Sequence, residues 1–331
     1  MSTEIRVGVA GLTHGHVGGL VNSWKGVEGA KLVAVADPTP LLDQYKKDFE
    51  RSYTSWQEML EKENFDALVV TSNNVESAEI AVQALGRGLP CMVEKAMAAN
   101  YSDAKRMLDA QKASGKTLMI NWPFAWSPWI HELKKEIDAN SVGSVFSFNF
   151  RTGHNGPKEI GCDQWFVAWL YDEKLNGGGA IADFCCYGAV MCRWYFGLPE
   201  SVYCVKKNYT KDYDVVDDHA LCVLKYPKMT AVIEGTWAIY GFDPRCNPVA
   251  HGKKGTLGVL GNKVVRYAAG EPDTETESPA LPIATPAEYF WKCVQSGKAP
   301  EGVLDPSIAA DACKILDAAN KSAKSGHDEK V

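Results

Sequence analysis

The chain holds 331 residues, 46% hydrophobic and 23% charged, a balance that excludes a disordered or fibrous protein and predicts about two folded domains. Its 35 basic and 41 acidic residues give a net charge of -6 with no dense run of Lys and Arg, which argues against nucleic acid and membrane as partners. No apolar run is long enough to span a bilayer, the start lacks a signal-peptide profile, and the 10 cysteines form no C-x-x-C pair, so a reducing cytoplasm is the expected compartment.

Ile5 to Ala10 reads as a buried strand that runs into glycines at 11, 15, 18 and 19, after which Leu20, Val21 and Trp24 follow helical spacing. A second strand, Lys31 to Ala36, stops at Asp37. In a dinucleotide fold, glycines let backbone amides and a helix N-terminus approach a diphosphate, and a carboxylate closing the second strand accepts from ribose hydroxyls. Gly11, Thr13, His14, Gly15, His16 and Asp37 are therefore the first cofactor candidates. The match is incomplete, because the G-x-G-x-x-G positions 11, 13 and 16 hold Gly, Thr and His. The pair His14 and His16 has no acidic or cysteine neighbour along the sequence, so no metal is expected there, and donation from a histidine to phosphate is the reading kept.

Strand patterns at Asp66 to Thr71, Pro90 to Val93 and Leu118 to Ile120 alternate with helices at Ala78 to Leu85 and Ser102 to Ser114. The alternation predicts a doubly wound parallel sheet with its ligand at the C-terminal strand ends. Ser72, Asn73, Glu94, Lys95, Asn121 and Trp122 fall there and join the cofactor candidates. Residues 1–122 form the expected dinucleotide-binding domain and 123–331 the expected substrate-binding and oligomerisation domain.

The second half opens with an aromatic stretch at 122–129, a helix from Trp129 to Asp138 and a strand from Val145 to Thr152. A polar loop from His154 to Asp163 follows, then Trp165, Phe166 and Trp169 at helical spacing. His154, Asn155 and Trp165 are candidate substrate contacts, the indole as a stacking surface for an apolar ring face. Gly177 to Ala180 lead into a helix from Asp183 to Gly197, where Asp183 and Tyr187 stand four residues apart and share a face. The plain structural reading is a loop, a capping acid and the head of an apolar stripe. Strands at Ser201 to Lys207, Ala220 to Tyr226, Thr230 to Ile239 and Thr256 to Leu260 follow without intervening helices, predicting an α+β domain with a mostly antiparallel, open-faced sheet, a natural contact for a homo-oligomer. Residues 271–286 read as an exposed acidic loop, 287–296 and 307–322 as helices, and 326–331 as a frayed tail.

The chain resembles the Gfo/Idh/MocA family of NAD(P)-dependent oxidoreductases along nearly its whole length. The resemblance rests on Gly11 and its flanking strand, Val35 to Asp37, Glu94-Lys95-Ala96 against the family's E-K-P, and Gly177 to Asp183. Asp218 to Leu221, Gly252 to Thr256 and Glu288 to Phe290 also look like family positions. It implies a Rossmann domain followed by an α+β domain, NAD as cofactor with NADP second, and oxidation of a hydroxyl carbon in a sugar or cyclic polyol. Lys95 then stands beside substrate hydroxyl and nicotinamide, and Asp183 is the acid of the reactive helix. Tyr187 occupies the position where most members carry His, as in the glucose-fructose oxidoreductase and dihydrodiol dehydrogenase branches. Ala96 replaces the Pro, and Ala125 an Arg that is usual in the family.

Hydride removal from a carbinol carbon requires a group that takes the hydroxyl proton. Tyr187 is the expected proton donor and acceptor, Lys95 the cation that tunes it, since free tyrosine titrates near pH 10, and Asp183 the residue that orients Lys95. An enzyme that retains its NAD and oxidises a sugar transiently, and a non-enzymatic NAD-binding regulator, stay open as alternatives.

Overall fold

The computed structural model describes residues 4–241, 246–268, 270–283 and 285–331. Its contacts divide into two compact units: 1–122 with 161–177 and 283–310, and 123–160 with 178–282 and 311–331.

The first unit is built on six parallel strands, β1 (Ile5–Ala10), β2 (Ala30–Ala36), β3 (Arg51–Tyr53), β4 (Ala67–Val70), β5 (Cys91–Glu94) and β6 (Leu118–Asn121), in the order β3-β2-β1-β4-β5-β6. Every residue of β4, β5 and β6 is buried, as expected of strands covered by helices on both faces. Side chains start the covering helices: Ser55, Asn73 and Asn100 accept from Glu58, Glu76 and Asp103 N–H, each satisfying an amide that the helix leaves open. The order reverses between β1 and β4, so a crevice opens at their C-terminal ends, where ligands of such sheets bind.

Two later segments belong to this unit. Helix Gln164–Leu170 lays Phe166 and Trp169 on His14 (ring centroids 5.1 and 5.7 Å). Helix Pro286–Ser296 docks on helix Val17–Lys25 through an edge-on Trp24–Phe290 pair at 6.2 Å, both rings fully buried.

The second unit carries nine strands: β7 (Val145–Gly153), β8 (Ser201–Lys207), β9 (His219–Lys225), β10 (Thr230–Thr236), β11 (Val249–Gly252), β12 (Gly255–Leu260), β13 (Lys263–Ala268), β14 (Thr274–Glu277) and β15 (Glu329–Lys330). They are ordered β14-β13-β12-β11-β7-β10-β9-β8-β15. All neighbours are antiparallel except β7 and β10. Cys222, Leu224, Ala231, Ile233 and Phe148 fill the face that meets helix Cys186–Phe196.

Several sequence-based expectations are corrected here. The strand expected at Asp66 to Thr71 is the fourth, because β3, three residues long and largely exposed, has no periodicity to reveal it. β10 ends at Thr236 rather than Ile239, where Trp237 turns inward to donate its backbone N–H to the Asp218 carbonyl. The acidic stretch at 271–286 contains the exposed edge strand β14; Ala284 within it and Met1 to Thr3 lie outside the described residues. The tail is ordered, since β15 pairs with β8, Asp328 binds Lys225, and Val331 N–H donates to the Glu200 carbonyl.

The helix expected from Asp183 begins as a π-turn, Ile181–Cys185, and becomes α-helical only at Cys186. Five-residue hydrogen bonds widen that turn, so Asp183 and Tyr187 are not stacked as an α-helix would stack them. The turn is shaped from below. Asp217, fully buried, accepts the Gly179 and Ile181 amides at 3.0 and 2.8 Å, and its own carbonyl accepts from Ala180 N–H. Gly179 lies so close that a Cβ there would fall 2.1 Å from the Asp217 carbonyl oxygen. Gly179→Ala should therefore cost about 3 kcal/mol, read as a lowered midpoint in urea. Gly86→Ala, where a Cβ meets nothing within 4 Å, should be neutral or slightly stabilising.

Candidate functional site

The cofactor candidates gather at the β1/β4 crevice. Gly11 takes φ +82, and a Cβ on it would meet Ser72 N at 2.7 Å, so only glycine lets the turn leave β1 against the start of the β4 loop. Thr71 ties the turn down: its N–H donates to the Ala10 carbonyl, its hydroxyl to the Gly11 carbonyl, and its own carbonyl accepts from His14 N–H. Thr13 Oγ1 is buried in this turn with no partner among the described residues, a hydroxyl ready for a ligand oxygen. Helix Val17–Lys25 starts just beyond, with no acidic residue in its first turn, so its positive end is not cancelled. These features fit a dinucleotide diphosphate.

Asp37 is 2% exposed. Its Oδ2 accepts from Leu12 N–H at 2.6 Å, and its Oδ1 accepts from Thr39 N–H at 2.7 Å and from the Thr39 hydroxyl. The sequence marked Asp37 only as a ribose acceptor, but it also anchors the glycine turn. A carboxylate accepts about four hydrogen bonds, so room remains for one more donor. Ser72 and Asn73 serve helix Asn74–Gly86, the first by donating its hydroxyl to Glu76 and the second by capping. Gly15 is exposed beside the Phe166 ring, and Trp122 is buried at the end of β6.

The two histidines meet the Glu94-Lys95 segment. His16 N–H donates to His14 Nδ1 at 3.2 Å, which leaves the ring proton of His14 on Nε2, and that nitrogen donates to the Lys95 carbonyl at 2.9 Å. His16 Nδ1 lies 2.8 Å from Glu94 Oε1, while Asn121 Nδ2 donates to Glu94 Oε2 at 2.6 Å. Lys95 is 5% exposed, and the Lys95–Ala96 peptide is cis.

His14, His16 and Glu94 also form, among the described residues, the group whose donor atoms, all within 4.8 Å, could converge on a metal. The sequence showed no acidic neighbour for the histidines, whereas the fold supplies Glu94. Both nitrogens of His14, one of His16 and both oxygens of Glu94 already hold protein partners, so the group reads as a hydrogen-bonded network.

In the second unit, Asp183 is 7% exposed and its Oδ2 accepts from Trp237 Nε1 at 2.9 Å. Tyr187 is half-buried, its ring 5.2 Å from Phe124 and 6.4 Å from Phe184, and His154 meets Phe184 edge-on at 5.0 Å. His154 Nδ1 accepts from Gly156 N–H, and the Asn155 carbonyl accepts from Lys211 Nζ. His154, Asp183 and Tyr187 thus share one aromatic wall. Trp165 belongs to the first unit, 36% exposed, while its neighbours Phe166 and Trp169 are buried against the histidine turn.

Sequence reasoning missed Asp217, Lys206 and Trp237. Lys206 Nζ donates to Asp217 Oδ2 at 3.2 Å; Lys206 sits in a strand and Asp217 in a polar run just ahead of one, where a charged residue reads as solvent-facing.

Burial, then the charges of His16 and Lys95, push the His14 pKa well below its ordinary value, against the opposing pull of the Lys95 carbonyl. Unfolded, this imidazole takes up a proton near pH 6.5, so below that pH the folded state binds fewer protons. The sign follows: stability falls as pH drops below about 6.5, by up to about 1.4 kcal/mol per pH unit from this site, and levels off below the folded-state pKa. Urea midpoints between pH 5 and 8 should show a shallower acid-side slope in His14→Phe.

Residues 130–258 match the family model described as the GFO/IDH/MocA C-terminal domain, and residues 5–122 match the one described as an oxidoreductase family with an NAD-binding Rossmann fold. The chain is 24% identical over 174 residues to levoglucosan dehydrogenase of Pseudarthrobacter phenanthrenivorans, covering 50% of this chain and 42% of that relative, so the match spans less than half of the relative's length. It is 25% identical over 248 residues to scyllo-inositol 2-dehydrogenase (NADP(+)) of Bacillus subtilis, covering 74% of this chain and 72% of the relative. In fold it is similar to levoglucosan dehydrogenase solved with NADH and levoglucosan, with a TM-score of 0.82 at 18% identity over 99% of this chain and 100% of the other. The chain belongs to the Gfo/Idh/MocA oxidoreductase family.

Proposed function

We propose that the protein is an NAD-dependent dehydrogenase that moves hydride between nicotinamide and a hydroxyl-bearing carbon of a sugar or cyclic polyol. The observation that carries this reading is a pair of ionisable side chains, Asp183 on the π-turn, fixed by Trp237, and Tyr187 in the first turn of helix Cys186–Phe196, set among aromatic rings. A polar tip on an apolar wall suits a ring with hydroxyls at its edge and C–H bonds on its face. Relatives named for levoglucosan and scyllo-inositol support the same substrate class.

Bound NAD would supply the hydride acceptor. The Gly11 turn, the Thr13 hydroxyl and Asp37 are the groups suited to hold it. Of the chain's own residues, Tyr187 gives and takes the proton at the substrate hydroxyl, and Lys95 supplies the positive charge that favours a deprotonated oxygen. Oxidation then gains from alkaline pH, because a proton leaves with the hydride.

Two further readings accompany the function. A cytoplasmic location agrees with 10 free cysteines, two of which, Cys204 and Cys222, meet as thiols, Cys222 donating to Cys204 Sγ at 3.5 Å. A homo-oligomer agrees with the open face of the nine-stranded sheet, where Tyr203, Val205, Leu221, Val223 and Val232 are part or fully exposed.

Incubation with NAD and a panel of sugars and inositols should give NADH absorbance with at least one member, and silence across the panel would remove the proposal. Tyr187→Phe should lower kcat by about 100-fold or more and leave NADH affinity unchanged. Asp37 and the absence of any cation at 38–45 favour the cofactor without a 2'-phosphate. The kcat/KM ratio should therefore favour NAD over NADP by about tenfold, equivalent to about 1.4 kcal/mol, and a ratio favouring NADP would refute that assignment. Light scattering should return a mass at least twice that of one chain.

A further inference from the structure

The histidine pair in the glycine turn is not used by the chemistry above. His14 is 2% exposed and is packed by Phe166 at 5.1 Å and Trp169 at 5.7 Å. Trp169 Nε1 also donates to the Thr13 carbonyl at 3.2 Å, so one helix clamps both the ring and its backbone. The clamped ring has a single tautomer, with Nδ1 receiving the His16 amide and Nε2 donating to the Lys95 carbonyl. His16 makes a second attachment next to it, Nδ1 to Glu94, which Asn121 holds from the other side. Two consecutive residues at the end of β5 are therefore tied to the turn that leaves β1, although β4 separates the two strands in the sheet.

Resting on the function proposed above, we infer that His14 is a positioning residue for Lys95: its Nε2–H bond fixes the lysine's backbone to the same turn whose features suit the dinucleotide. A reactive amine contributes to rate only when held close to its working geometry. The segment after β5 is buried but has no strand pairing of its own, and without the His14 bond four side-chain torsions would hang from a looser backbone. The clamp removes the backbone part of that freedom. The groups facing His14 are His16 from its own turn, Lys95 and Glu94 from the end of β5, and Phe166 and Trp169 from the covering helix.

The test separates hydrogen bond from packing. His14→Phe keeps an aromatic ring against Phe166 and Trp169 but cannot donate, whereas His14→Gln places an amide N–H near the position of Nε2. Amide hydrogen exchange of the protein without added cofactor should rise at least tenfold over residues 94–97 in His14→Phe, stay unchanged over β4, and return toward wild type in His14→Gln. With a substrate from the panel, His14→Phe should lower kcat at least tenfold while NADH affinity stays within threefold, and His14→Gln should recover most of the loss. Unchanged exchange at 94–97 would overturn the inference, as would a kcat within twofold of wild type or a loss that Gln fails to restore. If no sugar is turned over by wild type, the functional proposal fails by itself and the exchange experiment still decides whether His14 holds the Lys95 segment.

Discussion

The Asp217 carboxylate is fully buried just ahead of β9, accepts the amides of Gly179 and Ile181, and faces Lys206 Nζ at 3.2 Å. Those bonds bend the glycine stretch into the π-turn that carries Asp183 and leads into the helix that carries Tyr187. A buried ion pair is weak evidence for stability, since desolvation offsets its attraction, but losing one partner strands a charge at a cost of about 3–5 kcal/mol. Here the pair does something a hydrophobic replacement could not, because two backbone amides at a tight turn need an acceptor. The second unit's polar groups inherit their positions from that requirement.

The first unit solves the same problem in the same way. Asp37, at the end of β2, accepts the Leu12 amide directly after Gly11. Each glycine stretch singled out in the sequence is thus fastened by a carboxylate far away in the chain. Glycine supplies conformations and close approaches that other residues refuse, but it supplies no rigidity. Rigidity at these two turns comes from acids that hold amides.

Much of this architecture was legible in the sequence, and the parts that were not share a cause. Fully buried runs such as 67–70 and 91–94 announce parallel strands because both faces must be apolar, and Gly11, Asp37, Glu94 and Lys95 fall at their ends by simple counting. β3, β14 and β15 are short edge strands with exposed or mixed residues, so no period marks them. The π-turn at 181–185 is invisible to a pattern that assumes 3.6 residues per turn. Long-range pairs are harder still. Nothing near His16 in the sequence points to Glu94, nothing near Asp183 points to Trp237, and nothing in 161–177 signals that Phe166 and Trp169 cover His14. Those contacts join turns, loops and helices that the fold brings together from distant parts of the chain. The segments 161–177 and 283–310 likewise belong to the first unit, far along the chain from its sheet.

The hold of Asp37 on the glycine turn carries a consequence for redesign. Converting such a protein to the phosphorylated dinucleotide ordinarily begins by exchanging the acid at the end of β2 for a neutral or basic side chain. In this chain the exchange also withdraws the acceptor of the Leu12 amide and of Thr39, so it disturbs the seating of the glycine turn whatever it does to the cofactor. A library that varies position 37 alone samples mostly loosened turns. One that varies 37 together with 12 and 39 can look for a replacement acceptor while it looks for a new cation.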